Sequence, residues 1–327
     1  MLCGASWKVG HNVGTAQQWD GRRNREGGRV ARWGGTLVQA QREGSMPPRS
    51  YPTARQKRLG TELRKMRERA GMSGSEAAAF LGGERAQISH IESGRYGVSS
   101  ERVRRLAVHY SSTDKYLVEE LAKMADERGK GWWEDYRGVL TPGNLDLAEL
   151  EFHATRLRGI YMLHVPGVLQ TSAYARGLIQ SGVATLPTDE LNKRVEHRMR
   201  RRAIFDRPNP APFEAFIHEA ALRMRYCAAD TMREQLDFLT EASQWPSVTI
   251  RVIPFDAQIT GSVHSMQYAV APVPALDTVQ IDSAFDGGFL DAEAQLTTYR
   301  ELLSSIESIS LGVEESCKYI QRIAQEM

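Results

Sequence analysis

The chain has little cysteine: Cys3, Cys227 and Cys317 are the whole supply in 327 residues. They are odd in number, far apart and outside any CxxC spacing, which excludes a disulfide framework and a thiolate zinc site. No apolar run approaches the length of a membrane span, and the amino terminus lacks the apolar stretch of a secretory signal. Catalytic signatures are missing as well: there is no G-x-S-x-G, no Walker loop and no G-x-G-x-x-G. The run His218-Glu219-Ala220-Ala221-Leu222 starts like a zinc-protease helix. Its fifth residue is Leu222 where the second histidine ligand must stand, so that metal site is not made. His164, His218 and His264 are scattered, and scattered histidines read as hydrogen-bonded structural residues. The expectation is a protein of the reducing cytoplasm, with no cofactor, metal or catalytic residue and no contact with membranes.

What is present is charge of one sign in one place. The formal net charge is only +2. Residues 46–115 nevertheless hold 14 Lys and Arg against 7 Asp and Glu, a surplus of seven positive charges. Residues 116–327 hold 21 against 30, an acidic excess of nine. A localised positive field suits a polyanion, because neutralising phosphates releases condensed counterions.

The basic part has helical spacing. Leu59, Leu63, Met66 and Ala70 recur along residues 55–70, and Gly71 ends that helix. Ser73-Gly74-Ser75-Glu76 has the spacing of a capping box and opens a second helix over residues 77–81. Gly82-Gly83 makes a tight turn, and residues 84–93 form a third helix with Ile88 and Ile91 inward. Gly94 stops it in a left-handed conformation that a residue without Cβ adopts cheaply. Val103, Leu106, Ala107 and Tyr110 mark a fourth helix capped by Ser99 or Ser100, and Thr113-Asp114 opens a fifth with Leu117, Leu121 and Met124 inward. Five short helices close one small all-α core, with Ala78, Leu81, Ile88, Ile91 and Leu106 at its centre. A helix, a glycine turn and a helix with a polar outer face form a helix-turn-helix, whose second helix enters the major groove.

Residues 55–127 resemble the Xre/Cro-type helix-turn-helix domains, and the run "IS-x-IE-x-G-R", Ile88 to Arg95, is the most specific part of the likeness. The resemblance implies base-edge contacts from Arg85, Ala86, Ser89 and His90, and phosphate contacts from Gln87 and Arg95. It also implies a glutamine phosphate contact at the position of Gly74, which this chain lacks, so Ser75 is the nearest replacement. Independently of family, Arg85 offers a bidentate pair to guanine O6 and N7, whereas the base preference of His90 depends on its tautomer. One such unit touches few base pairs, so a homodimer on a palindromic double-stranded operator is expected.

Beyond this region the reading is coarser. Residues 1–50 show no periodicity and are net basic. They read either as a disordered arm that adds phosphate contacts or as residues before a natural start at Met46. Residues 51–128 form the helix-turn-helix domain and residues 129–144 a connector anchored by Trp132, Trp133 and Tyr136. Residues 145–327 form a mixed α+β domain with a small sheet covered by helices. Its expected helices span 145–158, 168–179, 189–205, 231–243, 291–308 and 313–325, with a further short one from Glu219. Its expected strands span 161–165, 213–218, 248–253, 265–270 and 278–281, on period-two alternation and turn residues. The turn at Pro166-Gly167, continued by Gln170 and Thr171, is the best candidate for a partner or ligand surface, since a helix start offers unpaired N–H groups.

A second resemblance covers most of the chain. The runs "VPGVLQTSAYAR" from Val165, "EAALR" from Glu219, "QLDFL" from Gln235, "VTIRVIPF" from Val248 and "EESCKYI" from Glu314 look like the blocks of an actinobacterial regulator family. Its members, WhiJ-like and antitoxin-like, join an Xre-type domain to a carboxy-terminal domain of undefined role. Their genes commonly lie beside one for a small partner protein. The resemblance implies a transcriptional regulator near the nucleoid, modulated through its second domain by that protein or by a ligand. Two alternatives stand beside it: a second domain that only dimerises and docks, and an enzyme fused to a DNA-targeting domain.

Overall fold

Thr53 sets the first helix. Its hydroxyl accepts from the Gln56 N–H at 3.2 Å while the Gln56 side chain accepts from the Thr53 N–H. The pair satisfies two of the donors that a helix start leaves free. In this computed structural model, residues 51–127, 131–182, 185–259, 261–282 and 288–327 are described. The expected extension over residues 1–50 lies outside them, as do residues 128–130 between helical region and connector.

Five helices follow: α1 (Ala54–Arg69), α2 (Gly74–Phe80), α3 (Arg85–Glu92), α4 (Ser100–His109) and α5 (Lys115–Asp126). The Ser73–Glu76 capping box has both of its hydrogen bonds, so α2 begins at Gly74, three residues ahead of the expected start. Ser99, not Ser100, caps α4, and Asp114 caps α5. Leu63, Ala78, Ile88, Ile91, Leu106 and Leu121 are buried in one cluster, and Leu81 packs half-buried against it.

The rest is an α+β arrangement around a six-stranded mixed sheet. Its strands are β1 (Arg156–Tyr161), β2 (Phe213–His218), β3 (Val248–Ile253), β4 (Met266–Val270), β5 (Thr278–Ile281) and β6 (Gly288–Leu290). Their order across the sheet is β3-β2-β1-β4-β5-β6. The first three are parallel, and β4 to β6 add an antiparallel meander. Helices α6 (Pro142–His153), α7 (Ser172–Gln180), α8 (Thr188–Arg200), α9 (Glu219–Arg223), α10 (Ala229–Ala242), α11 (Glu293–Ile309) and α12 (Val313–Gln325) surround it.

Strand alternation sends side chains to two cores. Leu157, Phe213, Ile217, Ile250 and Val252 meet Leu236 and Leu239 of α10 and Ile320 and Ile323 of α12. Ile160, Phe216, Ile253 and Val279 meet Leu296, Leu303 and Ile306 of α11 on the other face. Burial on both faces explains why β2 is nearly continuous in buried residues, as parallel strands between helical layers are.

Four expectations are corrected. The helix read over residues 145–158 ends at His153, and Leu157, counted as helical, is a wholly buried strand residue. Its spacing fits either period, and pairing of β1 with both β2 and β4 decides the matter. The strand read over 161–165 keeps only Tyr161. The helix read over 168–179 divides into a 3-10 turn, Gly167–Leu169, and α7, which Thr171 caps by accepting from the Tyr174 N–H. The connector is itself structured: Trp132–Tyr136 form a 3-10 helix, and Pro142 already begins α6.

Candidate nucleic-acid interface

Helix α3 is held from behind by α1. A Cβ on Gly60 would lie 2.4 Å from the Glu92 carbonyl oxygen and 2.5 Å from that of Ile91, so only glycine permits this approach. Gly94 has φ of 74°, and a Cβ there would fall 2.8 Å from the backbone of Gln56. Arg67 of α1 donates to both carboxylate oxygens of Glu92, at 2.6 and 2.9 Å, and to the Met72 carbonyl at 2.7 Å. Backbone contact and a half-buried bidentate ion pair thus fix the end of α3 on α1.

The outer side of α3 is open. Arg85, Ala86 and Ser89 are exposed, as are Ser75 at the start of α2 and Arg95 beyond Gly94. His90 is half-buried instead of projecting freely: its ring stands 4.6 Å from that of Tyr96, tilted by 39°. Gln87 folds back on the turn, its Oε1 2.2 Å from where a Cβ on Gly83 would sit. Gly74 lies under Arg85, whose Cγ is 3.6 Å from a Cβ built there, an ordinary contact that leaves room for a side chain. Lys57 is exposed, and its backbone nitrogen lies 2.9 Å from the Cβ position of Gly94, beside Arg95. Among the described residues Lys57, Arg85 and Arg95 make no ion pair, whereas Arg64, Arg67 and Arg104 are matched by Glu68, Glu92 and Glu119. Lys57 was legible in sequence only as part of a basic run; the close approach of α1 and α3 gives it its place.

The Pro166–Thr171 turn is not an open surface. Gln170 is 0% exposed, Pro166 and Thr171 are also buried, and Gly167 is half-buried under Arg201. The Thr171 N–H donates to Gln235 Oε1 at 2.7 Å, Gln235 donates back to the Leu169 carbonyl, and Gln170 donates to the Val165 carbonyl. Arg198 and Arg202 then donate to the side chain and carbonyl of Gln170. The turn expected as a partner surface is thus a buried hydrogen-bonded joint in which the Thr171 and Tyr174 N–H groups already have acceptors.

The three histidines singled out in the sequence have separate partners. His164 lies 3.7 Å from Asp282, His218 caps α9 by accepting from the Ala220 N–H, and His264 meets the Tyr299 hydroxyl at 3.0 Å. Among the described residues no group of three His, Cys, Asp or Glu is placed to hold a metal ion. No described helix is long and apolar enough to cross a membrane.

Two stretches of the chain match known families. Residues 58–121 match a family described as a helix-turn-helix domain, the mark of a DNA-binding regulator. Residues 145–322, more than half of the chain, match the family described as a domain of unknown function, DUF5753. The chain belongs to the DUF5753 family. No curated protein and no solved structure matches it significantly.

In this DUF5753 chain the two matched regions share a core. Val273 and Leu276, from the segment joining β4 to β5, are each 8% exposed and belong to the hydrophobic cluster of the five helices. Each such burial is worth roughly 1.5–3 kcal/mol as an upper estimate. Arg58 of α1 donates to the Ala275 carbonyl of the same segment and to that of Asp291 just past β6, and pairs with the Asp291 carboxylate and with Glu62 on its own helix. Burial lowers its guanidinium pKa, while Glu62 and Asp277 oppose that shift. From α6, Asp146 Oδ1 accepts from the Ala54 N–H at 3.0 Å. Nothing in local sequence signals these contacts, because their partners lie about 90 to 230 positions apart.

Proposed function

We propose that this chain is a sequence-specific transcriptional regulator that reads the major groove with α3 and is modulated through its DUF5753 region. The observation that carries the reading is the outer face of α3. Arg85, Ala86 and Ser89 stand exposed on a helix that α1 fixes from behind, inside a region that matches a helix-turn-helix family. Arg85 and Ser89 are the base-reading candidates, with His90 turned partly toward Tyr96. Lys57, Ser75 and Arg95 flank them as phosphate contacts, Gln87 serving there if it unfolds from Gly83.

The shared core supports modulation. A change in the β4–β5 segment acts directly on the packing of α1, and α1 fixes α3. The proposed partners are a palindromic double-stranded operator, a second copy of the chain and a small protein encoded by a neighbouring gene, with the cytoplasm as the site of action. One observation favours the reading of the second region as a docking module. Leu163, Met224 and Phe255 are exposed large apolar residues following β1, α9 and β3, and Tyr226 bridges the Leu163 carbonyl and the Met224 sulfur. Genome-wide mapping of bound sites, with and without the adjacent gene product, tests the proposal. Discrete sites with a common palindromic motif are expected, and their pattern should change when that product is removed. Uniform, motif-free occupancy would refute sequence-specific regulation.

A further inference from the structure

Where the five helices meet the sheet there is a cavity of about 180 Å³. Its walls come from α1, α5 and α6 and from the β4–β6 meander, and Met124, Leu150, Val270 and Leu276 give it an apolar floor. Five carboxylates line it, from Glu120, Glu127, Asp146, Glu149 and Asp291. The two guanidiniums there are already engaged: Arg55 pairs with Glu127 at 2.6 Å, and Arg58 with Glu62 and Asp291. Glu149 differs from the other carboxylates: the Thr53 hydroxyl hydrogen-bonds its carboxylate, but its buried Oε2 is left without a partner.

We infer that this cavity is an effector site for a small organic amine, with the ammonium group beside Glu149 and the hydrocarbon body on the apolar floor. A buried acceptor left unmet is costly, and a charged donor is the group that relieves it most. The excess of carboxylates over guanidiniums disfavours an anion. A neutral alcohol would answer the hydrogen bond and leave the charge unbalanced. The volume suits a ring-sized body, since benzene fits an apolar cavity of about 150 Å³. The link to DNA rests on the modulated regulator proposed above: α1 is a wall of the cavity, and the same helix holds α3 through Gly60 and Arg67.

Proton linkage gives a second signature. Burial raises the Glu149 carboxyl pKa to about 7, with Asp146 and Glu134 adding to the shift and the Thr53 hydroxyl and Arg55 opposing it. The other charged or titratable groups around the cavity are Arg58, Glu120, Glu127, His153 and Asp291. His153 is held at about 4, chiefly by burial, so it stays neutral between pH 6 and 8. An ammonium group selects the ionised form of Glu149, so its binding should strengthen as pH rises through 7.

The test uses the full chain with benzylamine, benzyl alcohol and benzoate as probes, followed by calorimetry and thermal melting. Benzylamine should bind at one site, raise the melting temperature and bind about tenfold more tightly at pH 8 than at pH 6. Glu149→Gln should weaken it at least tenfold and remove the pH dependence. Ala271→Leu, which narrows the cavity without changing its charge, should weaken it as well, and melting without probe reports whether each variant folds. No benzylamine binding, benzoate binding as tight as benzylamine, or unchanged binding in both variants overturns the site. Anisotropy with duplex DNA separates this inference from the functional proposal. A chain that binds DNA and not benzylamine loses only the effector site, and one that binds benzylamine and not DNA loses only the regulator. Benzylamine bound with no change in DNA affinity overturns the coupling.

Discussion

Arg85 is exposed, free of any carboxylate among the described residues, and carried on a fixed helix. A bidentate guanidinium pair with guanine is worth roughly 1–3 kcal/mol of discrimination. Arg85→Ala should therefore lose specific operator preference by about 5- to 150-fold while its melting temperature stays near that of the parent, a contrast that competition binding and calorimetry together resolve. Gly74→Gln should also fold, since its Cβ meets only the Arg85 side chain at 3.6 Å or beyond. His197 makes a different prediction. It is buried between Trp132 and Tyr136, its Nε2 has no hydrogen-bond partner, and burial foremost, then Arg201, Arg198 and Arg200, lowers its pKa to about 3. Folded protein holds this ring neutral and unfolded protein protonates it near 6.5, so its contribution is intact above pH 6.5 and is lost as pH falls toward 3. Melting temperatures across that range should drop on acidification, and His197→Phe should flatten the drop. An unchanged acid limb in that variant would assign it to other groups.

At the scale of elements, α1 matters as much as α3. A methyl group at Gly60 meets two backbone carbonyls that cannot swing aside, so Gly60→Ala should cost about 1–3 kcal/mol and loosen α3. Arg58 ties α1 to the β4–β5 segment, and its removal leaves the buried Glu62 with Lys65 alone and takes a donor from the Ala275 carbonyl. Arg58→Ala should destabilise the chain by about 3–5 kcal/mol in denaturant unfolding. How much of this was readable varied with the range of the contacts involved. The capping box at Ser73, the stop at Gly94 and the buried Ile88 and Ile91 are set within a few residues, and sequence shows them. Leu157 fits a helix or a strand until β2 and β4 pair on either side of it. Strand β6 has only three residues and one pairing partner, too little alternation to stand out. Gln170 and Thr171 sit at a helix start that sequence presents as open, and Gln235, 64 positions away, takes the Thr171 N–H. Likewise His90 was legible as an outward residue and its packing against the tilted ring of Tyr96 was not.

For the whole molecule, the charge is unevenly placed: a surplus of seven over residues 46–115 precedes an acidic excess of nine over residues 116–327. Arg64, Arg67 and Arg104 are each paired with a carboxylate, whereas Lys57, Arg85 and Arg95 near α3 are unpaired among the described residues. DNA affinity should consequently fall by orders of magnitude from low to moderate salt. The slope of log affinity against log salt should shrink in Lys57→Ala and Arg95→Ala, with sequence preference retained. Val273 and Leu276 bury in the cluster of the five helices, so the two matched regions share one core. Selection of bound duplexes from a random pool, run in parallel with the parent chain and Arg85→Ala, shows whether α3 reads base sequence. One enriched motif is expected with the parent chain, arranged as two half-sites, with loss or relaxation of its guanine positions in the variant. No enrichment with the parent, or the same motif from both proteins, would contradict it.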